Sequence, residues 1–117
     1  MPEGTGRTES MVDRMRRDLT RARQAGDTAA VTALRTALSA LANAEAVPVP
    51  GPAAGPSPPA WTPDVPRRAL TPTDQRAVLV AEIADRQDTI DLYTDHGRPQ
   101  EASELRRQIQ VLAAYLD

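Results

Sequence analysis

The stretch Gln87-Asp88-Thr89-Ile90-Asp91-Leu92-Tyr93-Thr94-Asp95-His96-Gly97-Arg98, followed by Ile109-Gln110-Val111-Leu112-Ala113-Ala114-Tyr115-Leu116, decides the fold. It reads as two helices hinged at a glycine. In the first, Val78 or Leu79, then Ile83, Ile90 and Tyr93 return at helical spacing, with Arg86 or Gln87 interrupting the stripe. Gly97 is placed to end that helix, and Pro99 opens the next at a position where no backbone N–H is needed. The stripe Ala102, Leu105, Ile109, Leu112 and Leu116 then keeps a three-four spacing to the end of the chain. Upstream, Thr71 is a good N-cap, Pro72 suits the first helical position, and Asp74 completes a capping-box pattern. The first of these helices is therefore expected from Pro72 to about Asp95, a length of roughly 36 Å.

Going back toward the N-terminus, nine of the eleven prolines fall between Val47 and Pro72. No helix or central strand tolerates that density, because each proline removes a donor and clashes with the preceding turn. An extended, partly polyproline-like linker is expected, with the sole tryptophan, Trp61, inside it as a packing anchor or an exposed partner anchor. Before it lie two more helices. Ser10 sits as an N-cap ahead of Val12, Met15, Leu19 and Ala22; Gly26 is placed to stop that helix, and Asp27 caps the next one. The second carries Val31, Leu34, Leu38 and Leu41 on one stripe, with alanines on its flanks that let a neighbour approach closely. The fold class expected is all-α: a four-helix bundle made of two antiparallel helical hairpins joined by a long Pro-rich linker. Residues 1–9 form a frayed start, 10–46 the first hairpin, 47–71 the linker and 72–117 the second hairpin, with 10–117 as one domain.

Composition narrows the function classes. Phenylalanine is absent, so the core is built from small aliphatic side chains. All basic residues are arginine, and the net charge of -2 divides into a slightly basic first half and an acidic second half. With no cysteine there is no disulfide framework, thiolate metal site or thiol nucleophile. No run approaches the roughly 20 apolar residues of a membrane span and none at the start resembles a signal peptide, so a cytoplasmic location without membrane contact is expected.

The second hairpin carries a resemblance. Ala84 to Tyr93, Gly97-Arg98, Glu104-Leu105 and the ending Val-Leu-Ala-Ala-Tyr-Leu are similar to the GatB/YqeY family. There a "QR.D.I..F" helix leads through "AGR" into a helix ending "LEAYLP". In the first hairpin, Leu34 to Glu45 resembles the family's "R...SAL.NAE" helix. The chain departs from the family in its Pro-rich linker, in Tyr93 for Phe, in His96 for Ala and in Asp117 for Pro. It is also expected to lack the small C-terminal module shared with the tail of the GatB subunit. The family-motif polar positions are Arg35, Asn43, Glu45, Arg86, Asp88, Gly97 and Arg98. The resemblance implies a non-catalytic helical interaction module that docks a protein partner or self-associates. The alternative it implies is a tRNA-binding accessory related to the tail of tRNA-dependent amidotransferases, carbon–nitrogen ligases with glutamine as amido donor. It transfers no catalytic residue, cofactor, metal or small-molecule substrate.

Read on their own chemistry, the polar residues fall into few groups. Arg14, Arg17 and Arg21 share a helical face and are the candidate RNA or anion contacts, set against pairing with Asp13, Asp18 or the acids of helix three. Glu82, Asp85, Asp88, Asp91 and Asp95 recur every three or four residues; with no His or Cys to complete a ligand set, they are expected to be a solvated face. Arg35 and Arg86, within otherwise apolar hairpins, are read either as register-fixing members of inter-helix ion pairs or as part of a site, the structural role being favoured. His96, at a helix end, is placed to meet free carbonyls rather than to act as a base.

Overall fold

The computed structural model describes residues 9–46 and 69–117; the frayed start up to Thr8, Trp61 and most of the Pro-rich linker expected from the sequence lie outside the described residues. Those residues form an all-α bundle with no strand among them: α1 (Met11–Ala25), α2 (Thr28–Ala46), α3 (Pro72–Asp95) and α4 (Pro99–Ala113), the last tightening into a 3-10 turn at Ala114–Leu116. None of these helices is long and apolar enough to cross a membrane.

Local chemistry sets the helix ends. The Ser10 hydroxyl accepts from the Asp13 N–H at 3.1 Å. Gly26 takes φ 68°, which lets its own N–H and that of Asp27 reach back to the Arg23 and Ala22 carbonyls. Asp27 then accepts from the Ala30 N–H at 3.1 Å, so one residue after the first helix stops the second is capped. At α3, Thr71 and Asp74 exchange hydrogen bonds of 3.0 and 3.1 Å, a complete capping box with Pro72 in the first turn. Gly97, at φ 69°, ends the connection to α4 by the same left-handed device as Gly26.

Helix α2 is the centre of the bundle, touching α1, α3 and α4, while α3 lies along α4. Its alanines are the reason. Ala29, Ala33 and Ala37, at successive turns, are fully buried, so they form the contact surface itself and not its flanks. Around them close Met15, Leu34, Leu41, Leu79 and Leu112, all essentially without exposure and each stabilising by about 1.5–3 kcal/mol.

Two stripes keep Leu79, Ile90, Ala102 and Leu112 from their sequence reading but include polar positions that it left out. On α3 the buried positions are Leu79, Arg86 and Ile90, so the charge expected to interrupt the stripe is part of it. On α4 they are Ala102, Gln108 and Leu112, with Ile109 and Leu105 only half-buried. Arg86 and Gln108 meet, and that pairing turns both helices toward each other. Tyr115 is buried in the final 3-10 turn, whose tighter winding brings it under α1. Arg76 donates to the Leu116 carbonyl at 2.7 Å, holding the start of α3 to the end of the chain.

Candidate functional site

Arg86 is 8% exposed and its guanidinium is met on three sides. Nε donates to Gln108 Oε1 on α4 at 3.0 Å. Nη1 donates to the carbonyl and the carboxylate of Glu82, one turn back on α3, at 3.0 Å each. Nη2 donates to Thr36 Oγ1 on α2 at 2.6 Å. Thr36 in turn donates to the carbonyl of Thr32 or Ala33, and Gln108 donates to Glu104 at 3.3 Å. A buried guanidinium is tolerated only when its donors are satisfied, and four of its five N–H bonds are used here. The ion pair expected between helices is instead within α3; the links between helices are hydrogen bonds to neutral partners. Glu82 is correspondingly drawn off the solvated acidic face, on which Asp85, Asp88, Asp91 and Asp95 remain exposed.

Above this node an open groove of about 460 Å³ runs between α2 and α3, lined by Thr32, Arg35, Thr36, Ser39, Asn43 and Glu82, with Ala40 leaving room at its middle. The α2 residues recur at three- and four-residue steps, a polar stripe beside the apolar one. Arg35 and Asn43 are thereby brought together, and Arg86 underlies them through Thr36 and Glu82. The other motif positions are not part of this groove. Glu45 is half-buried further along α2, Asp88 is exposed on α3, and Gly97 and Arg98 form the turn before α4, where Arg98 meets Glu101 at 3.2 Å. Thr32, Thr36, Ser39 and Gln108 were not singled out by sequence. The stripe of α2 hydroxyls was a usable signal for the first three; nothing local marks Gln108.

The arginines of α1 are largely engaged. Arg14 lies over the Tyr115 ring, 5.1 Å from its centroid. Arg17 pairs with Glu9 and reaches Asp18 at 3.8 Å, while Arg21 borders a groove that also holds Asp18 and Asp27. The Tyr115 hydroxyl donates to the Asp18 carboxylate in a short bond. Burial first, and then the bond to Asp18 and its charge, push the phenol well above its usual value of about 10, so it stays neutral and serves as a structural donor. His96 Nδ1 sits 2.7 Å from the Leu92 carbonyl, the helix-end contact expected of it.

Among the described residues no group of three or more His, Cys, Asp or Glu side chains is arranged to hold a metal ion. Comparison with protein-family models, curated proteins and solved structures finds no match for the chain.

Proposed function

We propose that the chain is a non-catalytic helical interaction module, similar to the GatB/YqeY family, that docks a protein partner or a second copy through an exposed edge of its bundle. In this reading α1–α2 and α3–α4 are antiparallel hairpins joined by the Pro-rich segment 47–71. The short connections at Gly26-Asp27 and His96-Gly97-Arg98 favour that geometry.

The observation that carries the reading is convergence. Arg35 and Asn43 on one helix and Glu82 on another, far apart in sequence, line one open groove, and the buried Arg86 holds its floor through Glu82 and Thr36. Rigid helices with a fixed floor and a polar, accessible lining suit recognition. Glu82, the carboxylate in the groove, is engaged by Arg86 and not set against a hydroxyl, which favours binding over turnover.

Affinity capture with the tagged full chain from its native cell, scored for protein and for RNA, tests the reading. A protein retained by the wild type and lost with Asn43→Trp, which fills the groove, is the expected result. Recovery of RNA alone, released by salt, would favour the tRNA-binding alternative, and recovery of no protein would refute the module.

A further inference from the structure

We infer that the α2–α3 groove takes an extended, acidic peptide segment of a partner protein, with a carboxylate of that segment held by Arg35. This rests on the interaction reading above and names the chemistry of its partner.

Charge is the first argument. Between Asp27 and Glu45, Arg35 is the sole charged residue of the chain, so no acid stands one turn away on α2 to neutralise it. Arg16 and Arg98 do have such partners, Asp13 and Glu101, each three residues away, and Arg107 reaches Asp27 across the bundle. Arg35 has none among the described residues. The groove's own carboxylate, Glu82, is turned to Arg86 at 3.0 Å. Two guanidinium groups against one carboxylate leave the groove locally positive in a chain of net charge -2. A basic segment is repelled there. A nucleic-acid backbone, which needs several cations in a row, meets one accessible guanidinium among neutral side chains.

Shape is the second argument. From Thr32 to Asn43 the groove follows α2 for about 16 Å. That matches about five residues of extended chain at roughly 3.3 Å each. Hydroxyl or amide groups recur along it at Thr32, Ser39 and Asn43, about 10 and 6 Å apart along the helix, which matches main-chain groups about three and two residues apart in such a segment. An open trough of this length does not enclose a small molecule as ligand cavities do. Thr36 is fixed by Arg86 and a helix carbonyl, so the floor is set before binding.

The test is fluorescence anisotropy with the full chain and a labelled, end-capped pentapeptide alternating Asp and Ser, beside its Lys-Ser counterpart and an oligoribonucleotide. Binding of the Asp peptide alone at low salt is expected, weakened about tenfold or more by Arg35→Gln and unchanged by Arg23→Gln. Absence of Asp-peptide binding, an equal effect of the two substitutions, or tighter binding of the oligonucleotide overturns the proposal. So does a captured partner that Asn43→Trp releases but Arg35→Gln does not, although the module reading then stands. Peptide binding without any captured protein has the opposite meaning: the groove chemistry holds and the module reading fails.

Discussion

Replacing Arg86 by methionine keeps an unbranched stem of similar length but removes every donor that reaches Gln108, Glu82 and Thr36. The three partners do not suffer equally. Gln108 is 6% exposed, so its orphaned carbonyl oxygen carries the desolvation penalty of an unpaired buried group, about 1–3 kcal/mol. The Glu82 side chain is 24% exposed and can turn to water, which places its share below the 3–5 kcal/mol of a fully buried pair broken on one side. Thr36 keeps its donation to the helix backbone and loses least. Together these give a destabilisation of about 2–4 kcal/mol, a large part of the roughly 5–15 kcal/mol expected for a domain. Urea unfolding followed by far-UV circular dichroism measures it as a fall in midpoint at constant slope. In a second variant, Gln108→Leu and Glu82→Gln accompany Arg86→Met, so the stranded buried amide and the unpaired charge are absent too; at least half of the loss is expected to return. An Arg86→Met protein within about 0.5 kcal/mol of wild type, or a triple variant as unstable as the single one, would refute the account of this node as a satisfied buried charge.

Tyr115→Phe removes the bond to Asp18, whose carboxylate is partly solvated, and is expected to lower stability by about 1 kcal/mol at neutral pH. Because the folded-state pKa of Tyr115 is raised, its contribution is complete below the unfolded value of about 10 and declines as pH rises beyond it. Alkaline titration of the unfolding midpoint should therefore show a loss above pH 10 that is smaller in Tyr115→Phe. Gly97→Ala forces a Cβ into a left-handed conformation where nothing lies within 4 Å of it, so its cost is that of the backbone alone, about 1–2 kcal/mol. Gly97→Asn should lose less, and thermal unfolding of the two distinguishes strain from crowding. Thr71→Ala breaks the capping box and should cost about 1 kcal/mol, with faster amide exchange confined to the first turn of α3.

The sequence by itself determined where the helices are. Ser10, Gly26, Thr71 with Pro72 and Asp74, and Gly97 with Pro99 are read correctly because a cap is a contact between residues three or four apart, and its donors and acceptors are all visible in one window. The alanine content of α2 also announced a helix that others approach closely. Which way the helices face was decided by the tertiary structure. Arg86 lies 22 residues from Gln108 and 50 from Thr36, and Tyr115 lies 97 from Asp18. Periodicity assigns a charged residue to the solvent side, since a lone guanidinium in a core is prohibitively costly; only when three helices supply acceptors together does that cost vanish. The groove has the same origin. Arg35, its isolation from any acid one turn away, and Asn43 on the same helical face are legible along α2, but the groove itself, with Glu82 at its side and Arg86 beneath it, exists only once α3 is laid beside them.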